Sequence, residues 1–211
     1  MDNRSLHRIL GMAPVIPVLV IERVEDAVPL AQALVRGGLP VLEVTLRTPA
    51  AIAALKAMSG VEGAVVGAGT VLDAAQYDAA IAAGAQFVVA PGLTDRLVAA
   101  SSARGVPLLP GAVTASEVMR AREAGLRALK FFPAESAGGV AALKAFSAVF
   151  ADVAFCPTGG ITLATAPTYL QLPNVRCVGG SWLATPAMLA ARDWAGIEAA
   201  ARAAAALAVV R

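Results

Sequence analysis

Short apolar runs alternate along this chain with longer alanine-rich stretches whose apolar positions recur with a helical period. Valine, isoleucine, leucine and phenylalanine dominate the short runs, which is typical of buried strands. The runs start about every 20 to 26 residues, the length of one strand, one helix and two loops. The pattern predicts eight strands: Val15–Ile21, Val41–Thr45, Ala64–Gly67, Phe87–Ala90, Pro107–Pro110, Arg127–Phe131, Val153–Cys156 and Val175–Gly179.

The stretches between these strands are predicted as helices, and capping residues stand at several of their starts. Asp73, Thr94 and Thr114 suit N-cap positions, and Glu117 completes a capping box with Thr114. Thr48 marks a further predicted start. The predicted helices are Val24–Arg36, Pro49–Met58, Ala74–Ala83, Asp95–Ala103, Ala115–Ala124, Val140–Phe150, Ala164–Leu170 and about Asp193 to Val209.

Eight strand–helix units in a chain of this length predict an α/β protein of one domain, residues 1–211, folded as a compact (β/α)8 TIM barrel. An N-terminal helix around Leu6–Met12 is expected to cap the barrel. The alternative is an open, doubly wound sheet. The first predicted strand lacks the glycine-rich phosphate turn of such sheets, and evenly spaced units close naturally, so the pattern favours the barrel.

Composition and charge narrow the partners and the compartment. The formal net charge is +2, the charges are scattered, and no basic stripe carries aromatic residues, so we expect no nucleic acid partner. No apolar stretch is long enough for a bilayer, and the N-terminal segment is unlike a signal peptide. Cys156 and Cys177 are expected to be reduced thiols in a cytoplasmic protein. The single histidine, His7, and the absence of ligand clusters in the sequence predict no metal and no cofactor.

One lysine stands inside an apolar run. Lys130 lies in Ala128–Pro133, which is predicted as a buried strand, whereas the other lysines, Lys56 and Lys144, lie in predicted helices. Burial disfavours the charged form of an amine, and a neutral amine can attack a carbonyl carbon to form a Schiff base. Alternatively, the amine reaches water from the strand end or pairs with a carboxylate. The segment alone leaves both interpretations open.

The second predicted strand has a polar face. Glu43, Thr45 and Arg47 alternate with leucine and valine, although buried parallel strands are normally apolar throughout. The face either points into the barrel and works there or forms a structural ion-pair ladder. If it points inward, Glu43 meets Lys130 and can move protons for imine and enamine chemistry. Arg47, near the rim, suits a substrate carboxylate.

Two glycine pairs follow the last two predicted strands, where barrels usually bind phosphate. Gly159 and Gly160 follow the seventh strand, and the run Gly179, Gly180 and Ser181 follows the eighth. Glycines let backbone N–H groups approach an anion, but tight turns also require them.

Two shorter loops follow earlier strands. Gly67–Thr70, after the third strand, is another close-approach loop, and its Thr70 hydroxyl is a candidate substrate contact. Pro91 and Gly92 after the fourth strand also fit an ordinary turn.

The chain resembles the 2-dehydro-3-deoxy-phosphogluconate (KDPG) aldolases, often also active as 4-hydroxy-2-oxoglutarate aldolases, from about Val15 onward. Gly38–Arg47 is similar to the family's signature around its acid/base glutamate, and Leu129–Glu135 to its Schiff-base lysine signature. The resemblance implies that Glu43 is the acid/base and Lys130 the imine lysine.

The remaining site residues are also implied by the resemblance. Arg47 and Thr70 correspond to the contacts of the pyruvate carboxylate. Phe132 corresponds to an aromatic packing residue, Thr158 to a residue that influences stereochemistry, and Pro91 to a proline of less defined purpose. The phosphate loops correspond to Gly159, Gly160, Gly179, Gly180 and Ser181.

The resemblance implies a class I aldolase of the Entner–Doudoroff pathway that works as a homotrimer without metal or cofactor. Its substrate would be 2-dehydro-3-deoxy-6-phospho-D-gluconate, cleaved to pyruvate and D-glyceraldehyde 3-phosphate, with 4-hydroxy-2-oxoglutarate as a second substrate. The alternatives are an aldolase for the galactonate epimer, a phosphate-binding barrel synthase or epimerase, and a non-catalytic sugar-phosphate binder.

Overall fold

The computed structural model describes residues 3–209, in which parallel strands alternate with helices. The strands are β1 Val15–Leu19, β2 Val41–Thr45, β3 Val65–Gly69, β4 Phe87–Val89, β5 Leu108–Leu109, β6 Ala128–Phe131, β7 Ala154–Pro157 and β8 Val178–Gly180. Each of the eight predicted strands is therefore present, with boundaries that differ from the prediction by a few residues.

The helices follow the strands closely, and most begin where the sequence predicts. They are α1 Asn3–Leu10, α2 Ala27–Arg36, α3 Ala51–Met58, α4 Ala74–Ala82, α5 Asp95–Arg104, α6 Ala115–Glu123, α7 Gly139–Val149, α8 Ala166–Leu170, α9 Pro186–Ala190 and α10 Trp194–Ala205. A 3-10 turn, Val24–Asp26, precedes α2. The sequence pattern missed α9, which is only one turn long.

The predicted caps are largely confirmed. Asp73, Thr94 and Thr114 each accept a backbone N–H at the start of their helices, and Glu117 completes a capping box with Thr114. Thr48 is the exception, because its hydroxyl donates to the carbonyl of Ile21 instead of capping α3.

The prediction of a closed eight-stranded (β/α)8 barrel is wrong. Within residues 3–209, six strands form one parallel sheet in the order β5-β4-β3-β2-β1-β8, while β6 and β7 form a separate two-stranded sheet. The sequence pattern located the strands correctly, but it does not report how many backbone hydrogen bonds join neighbouring strands.

The first interruption lies between β5 and β6, and prolines explain it. Pro107 and Pro110 bracket β5, and proline has no N–H to donate to a strand ladder, so β5 is only two residues long. The link to β6 is one isolated bridge between Gly111 and Lys130. There the N–H of Lys130 donates to the Pro110 carbonyl at 2.8 Å, and the N–H of Ala112 donates to the Lys130 carbonyl at 2.9 Å.

The second interruption lies between β7 and β8. Pro157 ends β7 without an N–H. Backbone pairing between β7 and the chain around β8 is then limited to two isolated bridges, Phe155 with Val175 and Thr158 with Gly179. Both seams between the two sheets therefore contain residues that the sequence predicts for the site.

Side-chain alternation along the strands divides the core into two clusters. An outer cluster lies between the strands and the helices and includes Leu42, Val44, Leu129 and Phe131. The inner cluster lies between the two sheets, where α1 packs its apolar side chains against the strands. The inner cluster consists of Leu6, Ile9, Leu10, Ile16, Val41, Phe87, Val89, Leu109, Ala128, Cys156 and Cys177.

No helix within residues 3–209 combines the length and the apolar character needed to cross a membrane.

Candidate active site

Lys130 and Glu43 meet as a buried ion pair between the two sheets. The Lys130 Nζ atom lies 3.0 Å from Glu43 Oε1, and the two side chains are 7% and 4% exposed. Strand alternation explains the encounter, because Val41 and Ala128, each two residues earlier, belong to the inner cluster. The predicted meeting of these two side chains is therefore confirmed as a structural fact.

Gly69 makes room for the carboxylate of this pair. A Cβ atom built on Gly69 would collide with the Oε1 atom and the side-chain carbons of Glu43. β3 pairs with β2 so that Gly69 lies beside Thr45, and the Thr45 hydroxyl donates to the Leu19 carbonyl at 2.7 Å. The polar face of β2 is thus accommodated by a small residue on one neighbouring strand and a backbone acceptor on the other.

Phe132 extends the inward face of β6. Its ring lies below the amine of Lys130, with 5.4 Å between Nζ and the ring centroid. An aromatic face attracts a cation at this distance. Gly159, with φ of +102°, brings its backbone close to the same ring.

Arg47 and Thr70 lie together beyond the ends of β2 and β3. The Nε–H of Arg47 donates to the hydroxyl of Thr70 at 3.3 Å, and the Arg47 side chain is exposed. Thr70 has φ of +59°, the left-handed region that β-branched residues rarely adopt. Such backbone strain concentrates at functional sites. The pair presents a guanidinium and a hydroxyl just beyond the two strands that carry Glu43 and Gly69.

Thr158 is buried at the seam between β7 and β8. Its hydroxyl donates to the Cys156 carbonyl at 3.4 Å, and a Cβ on Gly179 would collide with its side chain. Pro91 lies one loop away from Lys130. Its carbonyl sits against Gly111, and Gly111 is the bridge partner of Lys130.

The predicted phosphate loops are only partly brought together. A cleft of about 740 Å³ opens beside the ends of β1, β7 and β8, and Gly160 and Ser181 both line it. Gly179 and Gly180 lie inside β8 and not in the loop after it. There they leave space for the side chains of Thr158 and Trp182, so a packing role accounts for these two glycines.

The two cysteines are free thiols at the inner cluster. Cys156 lies beside Lys130 in the register of β6 and β7, and Cys177 is fully buried. A hydrogen bond to Cys156 and burial raise the pKa of the Cys177 thiol, which keeps it protonated. Among residues 3–209, no three His, Cys, Asp or Glu side chains converge in a way that could hold a metal ion.

Two polar groupings near the site were missed in the sequence. Asp26 is buried and pairs with Arg23 at 2.7 Å and with Arg192 at 3.3 Å. The Tyr169 hydroxyl donates to Glu135 Oε1 at 2.6 Å. The i,i+3 spacing of Arg23 and Asp26 was a usable signal for the first grouping. The second joins residues 34 positions apart, and no sequence pattern marks it.

The sequence of the chain is similar to those of known aldolases. The sequence profile of the KDPG and KHG aldolases matches residues 6–200. A 2-dehydro-3-deoxy-phosphogluconate aldolase of Zymomonas mobilis is 55% identical over 180 residues, which cover 85% of this chain and 86% of that protein.

Solved structures show the same likeness. The 2-keto-3-deoxy-6-phosphogluconate aldolase of Zymomonas mobilis ZM4, crystallised with 3-phosphoglycerate, superposes with a TM-score of 0.96 at 51% identity and covers 99% of both chains. The KDPG aldolase of Legionella pneumophila, with pyruvate captured at low pH as a covalent carbinolamine, has a TM-score of 0.92 at 45% identity, covering 95% of this chain and 98% of that chain.

Proposed function

Because the chain belongs to the KDPG and KHG aldolase family, we propose that it reversibly cleaves 2-dehydro-3-deoxy-6-phospho-D-gluconate to pyruvate and D-glyceraldehyde 3-phosphate. A second substrate is 4-hydroxy-2-oxoglutarate, cleaved to pyruvate and glyoxylate. The observation that carries the proposal is the buried Lys130–Glu43 pair, whose Nζ and Oε1 atoms are 3.0 Å apart. The carbinolamine of the Legionella relative supports a Schiff-base mechanism.

The first half of the reaction joins the substrate to Lys130. Glu43 accepts a proton from the ammonium group, and the neutral amine attacks the C2 ketone. Proton transfer within the adduct gives a neutral carbinolamine. Glu43 then returns its proton to the departing hydroxyl, water leaves, and a protonated imine remains between Nζ and C2. The distance of 3.0 Å between Nζ and Oε1 suits these transfers.

The second half breaks the carbon–carbon bond. Glu43 takes the proton of the C4 hydroxyl, directly or through a water, and the C3–C4 bonding electrons move into the imine. The aldehyde leaves and an enamine remains. Protonation of C3 by Glu43 regenerates the imine, and water hydrolyses it to pyruvate and the free ammonium of Lys130.

The surrounding residues hold the two ends of the substrate. Arg47 and Thr70 bind the carboxylate, and their contact at 3.3 Å places both polar groups at one spot. Phe132, Thr158 and Pro91 shape the space around the reacting carbons. The phosphate end is assigned to the backbone of Gly159 and Gly160 after β7, and to Gly179, Gly180 and Ser181 at the end of β8. Fixing both ends aligns the C3–C4 bond for cleavage.

The assembly and the setting of the enzyme are part of the proposal. We assign the whole chain to one aldolase domain, which acts as a cytoplasmic homotrimer in the Entner–Doudoroff pathway. Exposed apolar side chains such as Met119 and Val149 are compatible with subunit contacts.

The test of the proposed function is release of pyruvate from three substrates: the phosphorylated gluconate, its galactonate epimer, and 4-hydroxy-2-oxoglutarate. We expect turnover of the gluconate compound to exceed that of the galactonate compound, and Lys130→Met to abolish both. Faster turnover of the galactonate epimer would assign the chain to the alternative aldolase. Binding of the sugar phosphates without pyruvate release would contradict the proposal.

A further inference from the structure

The cleft beside the end of β1 contains a cation that the aldolase mechanism above does not use. Among the described residues that line it, Arg23 is the only cationic side chain, and Gly160 and Ser181 line the same cleft. Arg23 comes from the segment after β1, and β1 is the hydrogen-bonded neighbour of β8, with Pro17 beside Gly180. The arginine therefore belongs to the same end of the sheet as the proposed phosphate loops.

Two hydrogen bonds hold the guanidinium of Arg23 in place, but not all of its N–H donors have a partner. Its Nε–H donates to Asp26 Oδ2 at 2.7 Å, and its Nη2 group donates to the Leu189 carbonyl at 3.4 Å. Within residues 3–209, the Nη1 group of Arg23 has no hydrogen-bond partner, and the Arg23 side chain is 43% exposed. An arginine fixed through one edge, with its other edge open, is preorganised to receive an anion.

Arg23 shares the carboxylate of Asp26 with a second arginine. The carboxylate of Asp26 is 8% exposed and pairs with both Arg23 and Arg192, and Arg192 also lies 4.0 Å from Glu25. Arg192 is not among the described residues that line the cleft. Glu22 also lines the cleft and is exposed, so binding of an anion here rests on the open Nη1 group of Arg23 and not on the net charge of the lining.

We propose that Arg23 binds the phosphate group of the substrate, together with Gly160 and Ser181, and so favours phosphorylated over non-phosphorylated substrates. The inference rests on the proposed aldolase function and adds a residue to it. Glycine loops supply only neutral N–H donors. A charge-assisted hydrogen bond is about twice as strong as a neutral one, so a single arginine contributes a large share of the preference for a dianion.

The test compares Arg23→Ala with Arg192→Ala. The two variants are matched, because each removes one of the two guanidinium groups that pair with Asp26 and leaves the other in place. We expect Arg23→Ala to lower kcat/KM for the phosphorylated gluconate roughly tenfold to a hundredfold. Its kcat/KM for 4-hydroxy-2-oxoglutarate should change less than about twofold, and Arg192→Ala should leave the ratio between the substrates unchanged.

Equal losses of Arg23→Ala on both substrates, or an unchanged preference for the phosphorylated one, would overturn the inference. If Arg23→Ala does not fold, Arg23→Gln keeps a hydrogen-bonding side chain of similar length without the charge and must show the same selective loss.

A second measurement separates this inference from the aldolase proposal. Calorimetric titration with glycerol 3-phosphate requires no turnover. We expect the wild type and Arg192→Ala to bind it alike and Arg23→Ala to bind at least tenfold more weakly. Equal binding by all three proteins would overturn the role of Arg23 even if the enzyme is an aldolase. Selective weakening in a protein that releases no pyruvate would refute the aldolase and keep the phosphate site.

Discussion

The Lys130–Glu43 pair is poorly explained as a device for stability. Removing two charges from water costs several kcal/mol for each ion, and an apolar pair of similar volume is often as stable. The structure nevertheless places the pair among apolar side chains, with 7% and 4% exposure. A buried amine and a carboxylate in direct contact form an acid–base couple shielded from bulk water. We therefore interpret the pair as a catalytic acid–base couple. Packing in the rest of the core offsets the free-energy cost of burying it.

Glu43→Gln separates the two halves of the proposed mechanism. The amide oxygen can still accept a hydrogen bond from Lys130 but cannot take up a proton. We expect kcat to fall roughly 10²- to 10⁴-fold, while pyruvate still forms a reducible adduct with Lys130 at a lower rate. Steady-state assays and reductive trapping of the same preparation measure both. Glu198→Gln, which alters a surface glutamate in α10, is the control. Full turnover by Glu43→Gln would remove Glu43 from the acid/base role.

At the residue scale, alternation along single strands predicted which side chains share a face, and the contact between Glu43 and Lys130 followed only if both faces pointed inward. The polar face of β2 and the position of Lys130 in β6 both follow from a period of two residues. The space for Glu43 was not predictable, because Gly69 lies on another strand and nothing local ties it to that carboxylate. Arg23 was missed for a similar reason: its cleft exists only after β1, β7 and β8 come together.

The loops after β6 and β7 are joined by a small network around Glu135. Its carboxylate accepts from the Tyr169 hydroxyl at 2.6 Å, and its N–H donates to the Gly159 carbonyl at 3.2 Å. A Cβ on Gly160 would collide with the Glu135 side chain. Tyr169 in α8 therefore fixes the glutamate that supports the glycine loop.

The titration of Tyr169 provides a test of this network. Burial, and then the hydrogen bond and charge of Glu135, raise the pKa of Tyr169 above its usual value of about 10. The folded protein thus retains a proton that the unfolded chain releases above about pH 10. The stabilisation is complete below the unfolded pKa and is lost as the pH rises through the folded pKa.

Tyr169→Phe should therefore lose about 1 kcal/mol of unfolding free energy near neutral pH. The gap to the wild type should narrow at higher pH, because phenylalanine does not titrate. Urea unfolding at about pH 8 and about pH 10.5 measures both differences. A gap that stays constant across this range would show that Tyr169 makes no such titrating contact.

At the element scale, the sequence predicted every strand of the described region and most helices. Local signals explain this success: β-branched runs mark strands, and Asp73, Thr94 and Thr114 mark helix starts that the structure confirms. Helix α9 is too short to show a helical period, so only its Thr185 cap and Pro186 marked it.

At the scale of the whole molecule, the site lies between two sheets. Glu43 belongs to the six-stranded sheet and Lys130 to the two-stranded sheet, so the ion pair joins parts that share few backbone hydrogen bonds. Lys130 and Thr158 lie at the two seams. The sequence predicted a closed barrel because evenly spaced units suggest closure. The prolines at positions 107, 110 and 157 are visible in the sequence. Whether they interrupt the sheet depends on which neighbouring strand would have accepted a hydrogen bond from the missing N–H, and the sequence does not show that.

The proposed trimer is also a property of the whole molecule. Light scattering coupled to size exclusion should give a mass three times that of the chain, unchanged across a tenfold dilution. A mass equal to one chain at all concentrations would rule the trimer out.

Reductive trapping of pyruvate shows which lysine, if any, forms the Schiff base. The protein is incubated with pyruvate, reduced with borohydride and digested, and the adduct is located by mass spectrometry. We expect a pyruvate-derived mass on Lys130, unaffected by EDTA and absent from Lys130→Met. An adduct on Lys56 or Lys144 in its place, or no adduct on any lysine, would contradict the proposal that Lys130 forms the Schiff base.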